Sequence, residues 1–238
     1  MTVNVSLKEL IETGAHFGHQ SRRWNPEMAP YLYGVEEGVH LFDLTKTKKC
    51  LDQALEFLKG LSSEGKVILL VGTKKQAKEK IREVGEATGC PYVSERWLGG
   101  TLTNFEQIKR SIDKLAKMKE EKSSGAYQKF TKKERLLLQR EIDRLERFLG
   151  GLSALNGMPD AMVIVDTHKE AGVIREAAKK GVTTIGIVDS NSDPTVVDYP
   201  IPMNDDASKA VEYVLEKIGE AILEGKKKTK AIKQEKEE

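Results

Sequence analysis

The sequence holds only two cysteines in 238 residues, Cys50 and Cys90. They stand far apart and neither belongs to a C-x-x-C pair. A disulfide framework and a cysteine-rich metal site are therefore excluded, and both thiols are expected as small reduced hydrophobes. Long apolar runs are also missing. None is longer than Val67–Val71, far short of the roughly 20 residues a membrane helix requires. The first ten residues lack a basic stretch followed by an apolar one, so no secretory signal is read and a cytosolic location is expected. There is no surplus of one charge either. The 39 basic and 37 acidic residues leave a net +2, so any preference for a charged partner must come from how the charges are distributed.

What is present is an alternation of strands and helices. Val67–Val71, Ala161–Val165 and Thr183–Val188 are continuously apolar and rich in branched residues, the pattern of strands buried on both faces. Helical patterns follow at Gln76–Ala87, Glu170–Lys179 and Ala207–Leu223. Such order predicts an α/β fold with a three-layer parallel sheet. Cys90–Ser94 reads as a weaker strand, and Tyr199–Met203, crossed by Pro200 and Pro202, as an edge. Earlier, Tyr31–Tyr33 and Val39–Phe42 predict a small hairpin, followed by a helix over Thr45–Leu61.

Phe105–Leu149 does not follow this alternation. Ile108, Ile112, Leu115 and Met118, then Leu138, Ile142, Leu145 and Leu149, are spaced by three and four, one apolar seam on each of two helices. Ser123–Ala126 interrupts them, and Thr131 with Glu134 forms a capping box. The expected organisation is an α/β body over 1–104 and 156–224, an inserted antiparallel helical hairpin over 105–155 that projects as a coiled coil, and a disordered charged tail over 225–238. The overall neutrality conceals a division. Phe105–Leu149 carries a net +5, whereas Met158–Glu224 carries a net −7.

Three stretches suit an anionic partner. Glu95–Asn104 places Arg96, Trp97, two glycines, Thr101, Thr103 and Asn104 at a strand-to-helix junction, where backbone amides and a helix N-terminus attract phosphate. The packing alternative has Trp97 and Leu98 beneath the hairpin and Thr103 or Asn104 as a cap. Gly72-Thr73-Lys74-Lys75 ends the first buried strand, the edge where open α/β sheets bind ligands, yet it lacks phosphate-loop and dinucleotide spacing. Arg22, Arg23, Trp24 and Asn25 combine guanidinium and indole groups suited to phosphate or an unpaired base. Lys109 and Arg110 extend the basic set onto the first hairpin helix. His16 and His19 invite a metal reading with Asp189, Asp193 or Asp205. The cluster His19, Asp189 and Asp205 is expected either to hold a divalent metal, zinc or magnesium, or to be joined by a His–Asp hydrogen bond alone. No nucleophile–base pair of the Ser/His/Asp or Cys/His kind is read, which speaks against an enzyme.

Seven collinear blocks carry a resemblance. They are Gly14–Gln20, Arg23–Pro26, Val71–Lys74, Arg96–Asn104, Pro159–Ala161, Ile187–Pro194 and Asn204–Ala207. In this order the chain resembles the bacterial small-subunit ribosomal protein family numbered two. The resemblance implies a flavodoxin-like sheet with an inserted helical hairpin, no catalysis and no required cofactor. It further implies a structural role in translation through small-subunit ribosomal RNA. Neighbouring ribosomal proteins are implied as partners, with help in recruiting the large mRNA-binding ribosomal protein numbered one. No membrane contact and no functional homo-oligomer are expected.

Overall fold

The computed structural model describes residues 3–234, with side chains in the last helix described as far as Lys228. The three apolar runs become the strands β4 (Ile68–Val71), β6 (Ala161–Val165) and β7 (Thr183–Val188), numbered after three earlier strands given below. Successive side chains of a strand point to opposite faces, and here both faces are buried. Ile68, Leu70, Ala161, Val163 and Val165 join one core. Leu69, Val71, Met162 and Ile164 join a second core on the other side. That is why these runs show no polar alternation.

With β5 (Tyr92–Val93) and β8 (Tyr199–Pro202) they form one parallel sheet in the order β5-β4-β6-β7-β8. This is the doubly wound order whose switch point lies between the first and third strands, here β4 and β6. The proline-crossed β8 is an edge, as its missing amides require. β5 is the other edge and is shorter than the Cys90–Ser94 expectation.

The first core is covered by α1 (Leu7–Glu12), α2 (Leu44–Ser63), α3 (Lys78–Thr88) and α7 (Ser208–Gln234). The second lies under α6 (Ala171–Lys180) and the inner parts of α4 (Phe105–Ser123) and α5 (Lys132–Leu149). Phe105, Ile108, Ile112, Leu145, Phe148 and Leu149 pack on the body. Only Leu115, Met118 and Ile142, with Leu138, Leu145 and Tyr127 beside them, form a separate cluster between the two helices. The segment expected to project is thus rooted in the main core along its first turns. Its capping box is present, with Thr131 N donating to Glu134 Oε2 at 2.8 Å.

A second sheet precedes the body, in the order β1-β3-β2, from β1 (Phe17–Gln20), β2 (Leu32–Glu36) and β3 (Val39–Phe42). β1 and α1 have no counterpart in the sequence expectation, because elements of four and six residues are too short to carry a clear periodicity. The β2–β3 turn places Glu37 and Gly38 at φ 48° and 79°, the left-handed pair that a tight hairpin requires.

The chain end requires a correction. Residues 225–234, expected as disordered tail, continue α7. Lysine and alanine are good helix formers, and the extension starts from packed residues. A side chain at Gly225 would lie 2.5 Å from Lys59 O, and Lys226 Nζ donates to Thr88 O at 2.7 Å. Residues 235–238 of the expected tail lie outside the described residues.

Candidate nucleic-acid interface

The C-terminal ends of β5, β4, β6 and β7 all lie along one edge of the sheet, because the strands are parallel. Arg96 follows β5, Lys75 follows β4, and His168 and Lys169 follow β6. The N-terminal segment is bound to the end of β7. His19 N donates to Ser190 Oγ at 2.7 Å, and Asn25 N donates to Ser190 O at 2.7 Å. Gly18 permits this approach, since a Cβ there would lie 2.8 Å from Ser190 Oγ. Arg22 and Arg23 are thereby brought to the same edge. Arg22, Arg23, Lys75 and Arg96 are exposed, and among the described residues none of them meets a carboxylate. Arg22 Nε donates only to Gln20 Oε1, at 3.0 Å.

The aromatic members are partly used by the fold. Trp24 lies against His40 with ring centroids 4.8 Å apart, and burial lowers the His40 pKa, so a neutral imidazole faces the indole. Asn25 caps the following turn by accepting from Glu27 N at 3.0 Å. Trp97 packs against the second core.

The anion-attracting junction at residues 96–104 receives an anion from the chain itself. Glu176 of α6 accepts from Trp97 Nε1 at 3.1 Å, Gly100 N at 2.8 Å, Leu102 N at 3.0 Å and Thr103 N and Oγ1 at 3.1 Å. Burial works to raise the Glu176 pKa, but the hydrogen bonds from Gly100, Thr103, Trp97 and Leu102 outweigh it and hold the group below the usual carboxylate range. Thr101 is buried, its hydroxyl donating to Leu98 O at 2.6 Å. Of this junction, Arg96, Gly99 and Asn104 are exposed. The sequence offered no sign of Glu176, an unremarkable helix residue far along the chain.

Lys74, placed with the RNA-binding candidates from its sequence position, is an internal cation. Its ammonium lies 2.6 Å from Asp205, 2.5 Å from Asp206 and 3.5 Å from Asp166. Burial opposes its charge, yet Asp205, Asp206 and Asp166 together raise its pKa. Asp205 is itself held above the ordinary range by burial and by Asp189 and Asp166, against the pull of Lys74. Asp166 sits at φ 65° directly after β6, and the neighbouring Glu170 accepts from the Thr73 hydroxyl. These groups fill the crevice at the switch point between β4 and β6, where such folds elsewhere bind ligands.

The histidine cluster forms with one exchanged member. His19 Nδ1 lies 2.8 Å from Asp189 Oδ1 and His19 Nε2 lies 3.5 Å from Asp206 Oδ2. Asp205 turns to Lys74 instead, joined to the cluster through that shared ammonium and through its amide, which donates to Asp189 Oδ2 at 3.1 Å. The ligand atoms of His19, Asp189 and Asp206 all lie within 4.8 Å of one another, a nitrogen-and-oxygen set compatible with zinc. His16 stands apart, its ring 4.1 Å from that of Phe17, and Asp193 caps a turn by accepting from Thr195 N at 2.8 Å. Hydrogen bonding to Asp189 is the main cause of a raised His19 pKa, with burial opposing.

On the helix pair, Lys109 contacts Asn156 at 3.2 Å and Asp113 at 3.7 Å, whereas Arg110 is exposed and without an acidic partner among the described residues. Within the described residues no helix is long and apolar enough to cross a membrane.

Comparison with known proteins agrees with the ordered blocks in the sequence. Residues 10–225 match the family model described as ribosomal protein S2. A small ribosomal subunit protein uS2 from Nitratiruptor sp. is 46% identical over 93% of this chain and 83% of its own. The uS2 proteins of Coprothermobacter proteolyticus and Microcystis aeruginosa are each 44% identical, over 96% and 98% of this chain and 85% and 88% of theirs. The chain belongs to the ribosomal protein S2 family, whose members are structural, non-enzymatic components of the ribosome.

Proposed function

We propose that the chain is a structural constituent of the small ribosomal subunit that binds small-subunit ribosomal RNA along the C-terminal edge of its five-stranded sheet. One observation carries this reading. Arg22, Arg23, Lys75 and Arg96 are exposed, without carboxylate partners among the described residues, and drawn to one edge by separate segments of the chain. Exposed cations in a row follow a phosphate backbone, and planar guanidinium groups bind phosphate bidentately. The acids of that edge do not cancel them, because Asp189, Asp205 and Glu170 are buried and engaged within the fold and the exposed Asp206 is paired with Lys74 and His19. Work within the small subunit places the protein in the bacterial cytoplasm.

Away from that edge, the acidic stretch Met158–Glu224 would then face protein or solvent, and neighbouring ribosomal proteins are its natural partners. Helping to recruit the large mRNA-binding ribosomal protein numbered one belongs to the same reading. His19, Asp189 and Asp206 are proposed to serve as a hydrogen-bonded brace, with a divalent metal as the alternative occupant.

The test is sedimentation of small subunits across a salt series. Replacing Arg22, Arg23 and Arg96 by Ala is expected to weaken incorporation and to flatten the log–log salt dependence by about one unit for each phosphate no longer neutralised. Unchanged incorporation with an unchanged slope overturns the assignment.

A further inference from the structure

The basic residues of the helix pair fall into two groups. Lys114 reaches Glu141 and Lys119 reaches Glu146 across the seam, while Arg147 joins Glu95 on the body. Lys109, Lys117 and Arg144 pair along their own helices. Arg110, close to the body, and Lys122, Lys129, Lys132, Lys133, Arg135 and Arg140 are exposed and meet no carboxylate among the described residues. Lys122, Lys129, Lys132, Lys133 and Arg135 lie at the turn that joins α4 to α5 or within one helical turn of it, and Arg140 stands about two turns further along α5. The surplus positive charge of the pair is therefore concentrated at the end remote from the body.

Apolar side chains are gathered at the same end. The α5 seam uses Leu138, Ile142, Leu145 and Leu149. Leu136 and Leu137 lie outside it, 51% and 54% exposed, and Phe130 just before the helix is 36% exposed. On a helix, residues three and four apart are neighbours. Lys133 and Arg140 each stand at that spacing from both leucines, so the same two cations bracket the apolar pair. Lys132–Leu137 is exposed on every side, although a merely solvated helix has no need of adjacent leucines.

We propose that this end of the helix pair docks an acidic amphipathic segment of a neighbouring protein in the small ribosomal subunit. The segment's apolar side chains cover Leu136 and Leu137, and its carboxylates meet Lys132, Lys133, Arg135 and Arg140. This docking rests on the ribosomal assembly proposed for the chain. Charge complementarity identifies the sign of the partner, and the leucines identify its class. RNA would satisfy the cations but would leave the leucines uncovered, because bases are bound by planar side chains rather than branched aliphatic ones. An acidic helix with one apolar face satisfies both.

The test places a benzophenone-bearing residue at Phe130 of the full chain and irradiates purified small subunits. The expected product is a cross-link to one protein, mapped to a segment in which Asp or Glu flanks apolar residues. Leu136→Ser with Leu137→Ser, and separately Lys132→Glu with Lys133→Glu, are expected to lower that product about tenfold. Both variants should keep the wild-type melting temperature and stay in the particle, since none of the four side chains packs inside the fold. Cross-linking to RNA alone, to a basic or wholly polar protein segment, or to nothing overturns the docking. So does a protein cross-link indifferent to both variants. Absence of the unsubstituted chain from the particle overturns the ribosomal assignment itself, whereas its presence without the protein cross-link overturns only the docking.

Discussion

The Glu176 carboxylate accepts a hydrogen bond from the Gly100 amide at 2.8 Å and thereby occupies the anion site that the Arg96–Asn104 segment builds. The segment is a genuine nest of donors. Its anion is a side chain of α6, so the nest holds the body together and leaves Arg96 at the rim to face a partner.

Replacing Glu176 by Ala should therefore act on stability before it acts on RNA binding. Five donors lose a charged acceptor, and about 2–3 kcal/mol of unfolding free energy should be lost in urea denaturation. The Glu176 pKa is depressed, so its contribution is present above pH 4.5 and disappears as pH falls through the depressed value. The difference between wild type and Glu176→Ala should shrink correspondingly in acid.

Lys74 and Lys75 should separate cleanly. Lys74→Met leaves Asp205 and Asp166 without their cation, and removing one partner of a buried ion pair typically costs about 3–5 kcal/mol. Lys75→Met should leave the melting temperature within a degree or two, on the order expected for a surface change. It should instead lower the salt slope of ribosome binding by about one unit. Equal destabilisation by the two variants would contradict the internal role given to Lys74.

His19 predicts a pH dependence of opposite sign to that of the carboxylates. Its pKa is raised in the fold, so its stabilisation is complete below pH 6.5 and is lost as pH rises through the raised value. The stability gap between wild type and His19→Gln should therefore narrow as pH rises above 6.5. A bound metal reverses this trend, because only neutral imidazole ligates. Zinc that raises the melting temperature more at the higher pH, and not in Asp189→Ala, would establish the metal version.

Truncation after Glu224 should cost about 1 kcal/mol, because it removes the Lys226 bond to Thr88 O. Gly225→Val should cost more, since a side chain there meets Lys59 O and Ser62. Chemical denaturation of the two variants checks both. An unstructured tail would leave stability unaltered in each.

The sequence by itself determined the sheet. Val67–Val71, Ala161–Val165 and Thr183–Val188 read as strands buried on both faces because they are short, continuously apolar and rich in branched residues, and the two seams of Phe105–Leu149 define two helices by their spacing, neither of which needs knowledge of partners. The collinear motif blocks likewise carried the family. Tertiary structure decided which charged groups face outward. Lys74 and Lys75 are adjacent and chemically alike, yet only the meeting of β4 with Asp166, Asp205 and Asp206 makes the first internal and leaves the second exposed. Asp206 rather than Asp205 lies beside His19 for the same kind of reason, since its carboxylate reaches both the imidazole and the Lys74 ammonium while that of Asp205 is directed to Lys74. Such choices depend on groups far apart in the chain, and the energy of a buried charge is set by everything that surrounds it.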